Sequence, residues 1–341
     1  MIDSIQSTIA EIRQARFRDR RLHNAEIQVT GVRENRATLA GSVLDKNTHN
    51  ILLRELQHRY PQLTIDGGQV KVLRRDPPQL ITVATNLTGL RGEPSSGAEL
   101  LSEVLSGWRL EQLSEQDKWT FVRQPDGYLG WVYTPYLANE VPAEPTDIVI
   151  EPVALLREAP ASDAATVTRI PAGTAVTVTA AFEEEWAQIE PPGMPDGWLP
   201  RTALRPLRSF PTGEAERREQ MVDDAFQFIG VPYRWGGVTA MGIDCSGFVQ
   251  MLHRMIGVTI PRDADMQLDA GQPVEPPLQP GDLLFFGSKG AHRQISHVGM
   301  SLGGWQMIHS SGSRNGVYLD DLDETTWLRD IYAGAATFAG G

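Results

Sequence analysis

The chain has 341 residues, of which 41% are hydrophobic and 22% charged. This composition is typical of a globular protein, and the length predicts two or three domains rather than one. The formal net charge of −12 argues against a nucleic-acid partner, because neutralising phosphates requires an excess of Lys and Arg. The single cysteine, Cys245, excludes an internal disulfide framework and a metal site made of several thiolates.

Two further features concern membranes and export. No apolar run approaches the roughly 18 residues of a membrane-spanning helix. Residues 1–21 carry charges where a signal peptide would have its apolar stretch. We therefore expect no membrane span and a cytoplasmic location.

Residues 1–75 read as a small α+β domain. Apolar residues at helical spacing predict a helix over 2–19, and the alternation over 27–43 predicts two strands joined at Glu34–Asn35. A second helix over 48–60 and a strand over 69–73 follow. This order resembles the BON domain, a small module of bacterial proteins, and a purely structural domain is the alternative. The prolines of RRDPPQ, at 74–79, predict a linker.

The next 130 residues or so contain an internal repeat. Four features of the first copy recur 66 or 67 residues later: Leu90-Arg91-x-x-Pro94 as Leu156-Arg157-x-x-Pro160, Gly107 as Gly173, Trp119 as Trp186, and Trp131 as Trp198. Short β-branched segments broken by Gly and Pro predict a small β-barrel for each copy, over 79–142 and 146–207. Both copies resemble bacterial SH3 domains, which are binding or positioning modules. The repeat raises the expected number of domains to four.

The cysteine lies at the boundary between a loop and a helix. Gly242-Ile243-Asp244 precede Cys245, and the apolar run FVQMLHRMIG follows Gly247. A thiol at the start of a helix is predicted to have a lowered pKa, because the helix dipole stabilises the thiolate. A buried cysteine without chemical function is the alternative.

Two of the seven histidines lie in strand-like segments of the same region: His297 in ISHVGMSL and His309 in WQMIHSSG. A turn at Gly303–Gly304 would bring the two imidazoles together, and a nucleophilic thiol needs such a proton acceptor. The other five are read as surface residues (His23, His49, His58), as solvated in a polar loop (His292), or as two helical turns from the cysteine (His253).

Five motifs in order, YRWGG…DCSGFV, PRDAD, LQPGDLLFF, ISHVGM and IHSSG, resemble the NlpC/P60 cysteine peptidases over roughly residues 215–338. The resemblance implies a papain-like α+β domain, placed here at 213–339. It implies Cys245 as nucleophile, His297 as general base and His309 as the orienting residue. It implies neither a metal nor a cofactor.

Together with the two barrels, this domain resembles a narrower group, the YkfC-type γ-D-glutamyl-L-diamino acid endopeptidases. That resemblance implies a murein-derived peptide as substrate, L-Ala-γ-D-Glu followed by diaminopimelate or Lys, with a free N-terminal amine. The first barrel would bind the amine through Tyr128 and Glu93, and Tyr133 with Glu99 is the alternative pair. The second copy has no aromatic residue matching Tyr128 and would be a spacer. Without the resemblance, Tyr128 reads as a turn aromatic on the barrel surface.

The resemblance assigns further contacts by position. Tyr233 and Trp235 would line the cleft. Asp244 would hold the substrate amine, cap the helix, or do both, and Ser246 would assist it.

The subsite for the D-Glu carboxylate follows from PRDAD, where Arg262 and Asp263 would shape it. This chain departs from the family at Ala264, where relatives often have Ser. The departure removes one hydroxyl from the expected subsite and leaves the strength of D-Glu recognition open.

The resulting hypothesis is a cysteine endopeptidase that recycles murein peptides. Three alternatives stay open at this point. One is an endopeptidase, associated with the cell wall, that remodels intact peptidoglycan. The second is a non-catalytic peptide-binding protein, and the third is a thiol redox sensor, although the sequence has no second cysteine to resolve a sulfenic acid.

Overall fold

The structure, a computed structural model, describes residues 1–288 and 294–340, so His292 lies outside the described residues. The chain divides into two compact units. One consists of Met1–Ile81 with Arg109–Thr134, and the other of Thr82–Trp108 with Pro135–Gly341. Within the described ranges, no helix is long and apolar enough to cross a membrane.

The first unit begins with the predicted order of helix, strand, strand, helix and strand: α1 (Ile2–Arg16), β1 (Ala25–Arg33), β2 (Arg36–Val43), α2 (Lys46–Arg59) and β3 (Thr64–Val72). β2 pairs antiparallel with β1 and parallel with β3. Ile5, Ile9 and Ile12 of α1 are fully buried, as their helical spacing requires. The resemblance of this domain to the BON domain stays a prediction.

The rest of the first unit is an antiparallel meander of three strands: β7 (Arg109–Gln116), β8 (Trp119–Arg123) and β9 (Leu129–Tyr133). It packs on the N-terminal domain through an apolar cluster of Leu44, Leu113 and Leu129. Arg74 adds an ion pair with the buried Glu111 at 2.9 Å. The segment predicted as a linker therefore includes a residue that is fixed to the meander.

The second unit contains the other strands of the first copy: β4 (Leu80–Val83, from Thr82 on), β5 (Leu87–Arg91), β6 (Leu100–Leu105) and β10 (Leu137–Ala138). It also contains the second copy in full: β11 (Asp147–Val149), β12 (Val153–Arg157), β13 (Thr166–Pro171), β14 (Ala175–Val176), β15 (Val178–Phe182), β16 (Trp186–Ile189), β17 (Gly197–Pro200) and β18 (Leu204–Pro206). Short 3₁₀ helices lie at Thr134–Tyr136, Arg201–Ala203 and Leu207–Ser209.

The hairpins β5–β6 and β12–β13 have equivalent registers. Leu90 lies opposite Ser102, and Leu156, 66 residues later, lies opposite Thr168. The repeated arginine makes the same contact in both copies. Arg91 donates to the carbonyl of Ala98 at 2.9 Å, and Arg157 donates to that of Ala164 at 3.0 Å. The conserved spacing within the chain thus corresponds to equivalent hairpins, while the assignment of the second copy as an SH3 domain stays a prediction.

The C-terminal part of the second unit combines helices and short strands with one antiparallel sheet of six strands, ordered β21-β26-β22-β23-β24-β25. Its elements are α3 (Glu214–Phe226), β19 (Val238–Thr239), β20 (Gly242–Ile243), α4 (Cys245–Met255), α5 (Ala264–Ala270), β21 (Gln272–Val274), β22 (Leu283–Gly287), β23 (Ile295–Gly303), β24 (Gln306–Ser311), β25 (Gly316–Asp321), α6 (Thr326–Asp330) and β26 (Tyr332–Thr337). Helix α4 packs against β23 and β24. A helix that begins at the cysteine therefore faces the two strands that carry His297 and His309.

Candidate active site

Cys245 is the first residue of α4, and the sequence around it explains why the helix begins there. The carboxylate of Asp244 accepts a hydrogen bond from the backbone N–H of Gly247 at 2.7 Å, which caps the helix. The thiol is buried. Backbone N–H groups of Ser246 and Val298 donate to its sulfur. Since Val298 follows His297 in β23, these contacts place the thiol beside the strand of the predicted base.

The protonation state of the thiol differs from the sequence-based prediction. Burial, followed by the charge of Asp244, raises the pKa of the Cys245 thiol to about 12, against the opposing hydrogen bonds from Val298 and Ser246. The predicted lowering of the thiol pKa by the helix start is therefore wrong, because removal of the thiol from water outweighs the effect of the helix dipole. The thiol is neutral here, and it must lose its proton as it attacks.

His297 and His309 lie on the neighbouring antiparallel strands β23 and β24. The Nε2 atom of His297 and the Nδ1 atom of His309 are 2.7 Å apart, a hydrogen-bond distance. The hairpin turns at Gly303 and Gly304, which both have positive φ, as predicted for this connection. Burial and the neighbouring His309 lower the pKa of His297 to about 3, so its imidazole is neutral and able to accept a proton.

An acidic residue that the motif analysis did not single out lies behind His309. The Nε2 atom of His309 is 2.9 Å from Oδ2 of Asp320, which is buried in β25. Arg314 donates to the other carboxylate oxygen. Burial opposes ionisation of Asp320, but the hydrogen bond and charge of His309 and the charge of Arg314 outweigh it and lower its pKa. The signal in the sequence was weak, because Asp320 approaches His309 only through the pairing of β24 with β25.

Asp244 and Arg262 form a buried ion pair next to the cysteine. Arg262 donates from Nη2 to Oδ2 of Asp244 at 2.6 Å and from Nη1 to Oδ1 at 3.0 Å. It also donates to the Ser246 hydroxyl at 2.8 Å. The backbone N–H of Gly236 donates to Oδ2 at 2.8 Å. The structure thus brings Asp244, Ser246 and Arg262 together, with Asp244 acting as both the cap of α4 and the partner of Arg262.

The remaining residues of the PRDAD motif lie at the start of α5. Asp263 is the half-buried N-cap residue of this helix, and its side chain does not cap it. Ala264 is the first helical residue and is buried. The methyl group of Ala264 therefore occupies a packed position.

Tyr233 and Trp235 precede the cysteine helix and differ in exposure. Burial, followed by the charges of Cys245 and Asp244, raises the pKa of the half-buried Tyr233, so its hydroxyl stays protonated. Trp235 is 61% exposed, and its Nε1–H donates to the carboxylate of Glu99 at 2.9 Å. A protonated phenol beside the nucleophile and an exposed indole two residues further along the chain are suited to contacting a substrate.

Strand β6 of the first repeat contributes contacts that the sequence analysis missed. The hydroxyl of Ser102 accepts a hydrogen bond from Nε of Arg262 at 3.1 Å. The carboxylate of Glu103, only 2% exposed, accepts from the backbone N–H of Val238 at 3.0 Å and from Arg234 at 3.1 Å. Burial raises the pKa of Glu103, and these hydrogen bonds oppose the increase.

The first glycine of YRWGG, Gly236, is required by its close approach to strand β6. Gly236 has a φ of +78°, and a Cβ atom there would lie 2.3 Å from the backbone oxygen of Leu100 in β6. Only glycine allows both the backbone angle and this close approach. The motif is therefore shaped by the strand that carries Ser102 and Glu103.

The two predicted pairs for the substrate amine are placed as follows. Glu93 is exposed in the loop between β5 and β6, and Glu99 lies at the other end of that loop. Tyr128 lies in the first unit between β8 and β9 and is 3% exposed, so it is not an aromatic on the barrel surface. Tyr133 ends β9 and packs edge-to-face on Trp119 at 5.5 Å. Within the second unit, the structure connects Glu99 with Trp235, and the roles of all four stay predictions.

No group of three or more His, Cys, Asp or Glu side chains in residues 1–288 and 294–340 is arranged to hold a metal ion. What the site does contain is a thiol at the start of a helix, facing strands that carry two hydrogen-bonded imidazoles. This arrangement is that of cysteine peptidases, in which an imidazole takes the thiol proton and a third group orients the imidazole.

Comparison with known proteins specifies the class. The NlpC/P60 family matches residues 230–335, and the bacterial dipeptidyl-peptidase SH3 domain matches residues 90–134. The chain accordingly contains an NlpC/P60 cysteine peptidase domain and a bacterial SH3 domain.

Individual relatives agree with this assignment. A γ-D-glutamyl-L-lysine dipeptidyl-peptidase of Bacillus cereus is 28% identical over 263 residues, which cover 70% of this chain and 75% of the relative. A protein of the same name from Bacillus subtilis is 36% identical over 122 residues, 36% of this chain and 41% of that one. The crystal structure of a B. cereus NlpC/P60 family protein, 22% identical, covers 76% of this chain and 99% of that one with a TM-score of 0.66. It supports the fold.

Proposed function

We propose that the protein is an endopeptidase that cleaves the bond between γ-D-Glu and an L-diamino acid in murein-derived peptides with a free N-terminal L-Ala. The observation that carries the proposal is the placement of Cys245 at the start of α4, beside the hydrogen-bonded pair of His297 and His309. The names of the B. cereus and B. subtilis relatives support the choice of bond.

In the first half of the reaction, the sulfur of Cys245 attacks the γ-carbonyl carbon of D-Glu. His297 takes the thiol proton as the sulfur–carbon bond forms, because the thiol is neutral and the imidazole is an unprotonated acceptor. The backbone N–H of Cys245, at the start of α4, stabilises the tetrahedral oxyanion, since it lies at the positive end of the helix dipole.

In the second half, the tetrahedral intermediate collapses and the carbon–nitrogen bond breaks. Protonated His297 donates its proton to the leaving amine of the diamino acid, and a thioester to Cys245 remains. Water then attacks the thioester carbon while neutral His297 accepts one of its protons. The carbon–sulfur bond breaks, L-Ala-γ-D-Glu leaves with a free γ-carboxyl group, and His297 returns the proton to the sulfur. His309 holds the ring of His297 in place throughout.

Selectivity for a free amine is the finer part of the proposal. The contact between Glu99 and the exposed Trp235 supports a role for the SH3 domain at the cleft, because it puts a carboxylate beside a residue expected to touch substrate. A carboxylate there would pair with a protonated α-amine and would not pair with an acetylated one. Glu93 with Tyr128, or Glu99 with Tyr133, would supply this recognition.

The test compares L-Ala-γ-D-Glu-L-Lys and its diaminopimelate analogue with their N-acetylated forms, using reduced protein and mass spectrometry of the products. We expect release of L-Ala-γ-D-Glu from the free-amine peptides, and none by Cys245→Ala. No cleavage of any peptide would contradict the proposed function. Equal cleavage of the free and acetylated peptides would remove the amine requirement and favour action on intact peptidoglycan, which digestion of purified sacculi would reveal.

Substitutions separate the two candidate pairs for the amine. Glu93→Gln and Tyr128→Phe are expected to raise KM for the free-amine peptide about tenfold if the first pair binds it, as for loss of a charge-assisted hydrogen bond. Glu99→Gln and Tyr133→Phe do so if the second pair binds it. A dependence of growth on murein peptides as a nutrient, lost with Cys245→Ala, would support a cytoplasmic recycling role.

A further inference from the structure

A chain of three hydrogen-bonding side chains runs away from the thiol: His297, His309 and Asp320, with Arg314 at its end. The distances are 2.7 Å from Nε2 of His297 to Nδ1 of His309 and 2.9 Å from Nε2 of His309 to Oδ2 of Asp320. His309 and Asp320 are 1% and 8% exposed. Proton positions in such a buried chain are set by its members, because water does not supply alternative partners.

The direction of hydrogen-bond donation along this series of side chains follows from the carboxylate at its end. Asp320 is ionised and paired with Arg314, so its Oδ2 atom only accepts hydrogen bonds. The Nε2 atom of His309 must therefore carry a proton and donate it. In the neutral form of the ring this is its one N–H, which leaves the Nδ1 atom of His309 as an acceptor towards His297.

The same reasoning continues to His297. Its Nε2 atom lies against the Nδ1 acceptor of His309, so this Nε2 must carry the proton of the neutral ring. The Nδ1 atom of His297 is then unprotonated and is the one left to accept the thiol proton. The carboxylate of Asp320 thus determines which nitrogen of His297 is reactive, although it reaches His297 only through His309.

We propose that Asp320 is a positioning residue that fixes the tautomers of both histidines, and that Arg314 locks the carboxylate in the orientation this requires. The proposal extends the catalytic roles given above and rests on the proposed function for its kinetic consequences. It adds a fourth residue, and a counter-charge, to the three that the family resemblance implied.

Asp320→Asn tests this idea because the amide has one acceptor and one donor. Arg314 contacts the Oδ1 position, and a guanidinium only donates, so it will hold the amide oxygen there. The amide NH₂ then faces His309 and forces its Nε2 atom to accept. The tautomers of both rings reverse, and the Nδ1 atom of His297 becomes protonated and unable to act as a base.

We expect Asp320→Asn to lower kcat by about 10²–10⁴-fold with KM changed by less than about threefold, as for a base held in the wrong tautomer. Asp321→Asn is the matched control, since Asp321 is the next residue of β25 and its side chain accepts from the backbone N–H of Asp323 rather than from a histidine. Asp321→Asn should keep kcat within about twofold.

A double variant separates tautomer control from loss of structure. In Asp320→Asn with Arg314→Met, nothing holds the amide oxygen at the Oδ1 position, so the amide can rotate and accept from His309 again. We expect this second substitution to raise kcat of the Asn variant by about tenfold, although Arg314→Met alone lowers it slightly. A purely structural role predicts that the double variant is no better than Asp320→Asn.

Nitrogen NMR of the histidine rings gives a readout that needs no substrate. In the native protein we expect His297 and His309 both protonated at Nε2, and in Asp320→Asn both protonated at Nδ1. If native protein fails to cleave the peptides but the tautomers still change between native protein and Asp320→Asn, the proposed function is wrong and the inference holds. Native activity with tautomers and kcat unchanged in Asp320→Asn would overturn the inference alone.

Discussion

Strands β6 and β13 occupy equivalent places in the two copies of the repeat, and their neighbours differ. In β6, Ser102 and Glu103 contact Arg262, Arg234 and Val238 beside the cysteine helix. Sixty-six residues later, Thr168 and the carbonyl of Arg169 accept hydrogen bonds from Asn86 of the first copy, at 3.4 and 3.1 Å. The two hairpins have the same register, so the backbone pairing is common to both copies. The side chains determine which neighbours each strand contacts.

Burial marks the difference between these positions. Glu103 is 2% exposed and bonded to its neighbours through both carboxylate oxygens, whereas Arg169 is exposed. A buried carboxylate is retained only with good partners, because an unpaired one is costly. If β6 supports the active site while β13 only joins the two copies, substitutions in the two strands should differ in their effects.

The largest effect is expected from Glu103→Ala. It leaves the N–H of Val238 and the guanidinium of Arg234 without their acceptor, and we expect a loss of about 2–4 kcal/mol in the free energy of unfolding. Arg169→Ala, at the matching position, should change it by less than about 0.5 kcal/mol. Urea unfolding of both variants measures this, and equal losses would contradict the contrast.

Ser102→Ala is expected to act on the site as well as on stability. It removes the acceptor of the buried Arg262 Nε, at a cost of about 1–3 kcal/mol, and it loosens the partner of Asp244. We expect kcat/KM to fall together with stability. Thr168→Ala is the control and should leave kcat/KM unchanged; a fall of the same size there would show that the repeats act on the site alike.

The pH dependence of stability provides a third comparison, between the native protein and Glu103→Gln. Burial raises the pKa of Glu103 above its ordinary value in the folded state, so the folded protein binds more protons than the unfolded one. Its contribution to stability is present below the ordinary value and is lost as pH rises through the folded pKa. The native protein should therefore lose stability relative to Glu103→Gln as the pH rises above the ordinary pKa of a glutamate, about 4.3. A difference that stays flat with pH would contradict the raised pKa.

The smallest effect is expected from Trp235→Phe. It removes an exposed hydrogen bond to Glu99 but keeps an aromatic ring at this exposed position. We expect a KM increase of about two- to threefold for the free-amine peptide, with stability changed by less than about 0.5 kcal/mol. Trp198→Phe, in β17 of the second copy, should leave KM unchanged. If both substitutions change KM equally, the second copy is more than a spacer.

Local sequence rules accounted for the elements that place the reactive groups. Asp244 before Cys245 predicted the start of α4, and the alternating segments around His297 and His309 predicted neighbouring strands joined at a glycine turn. Those rules depend on hydrogen bonds and φ angles within a few residues, which the chain specifies directly. The thiol pKa was predicted in the wrong direction because the helix dipole is a local property, while burial depends on everything packed around the sulfur.

By itself, the sequence determined the catalytic class, since one cysteine and two histidines at characteristic spacing lie within one domain, and it determined the equivalence of the two repeats. Only the tertiary structure brought Asp320 against His309 and placed Ser102 and Glu103 against residues 234–262. These contacts join residues 11 to 160 positions apart. They arise from strand pairing and from packing between elements that are distant in the sequence. Neither segment of such a contact carries a local sequence pattern that identifies its partner.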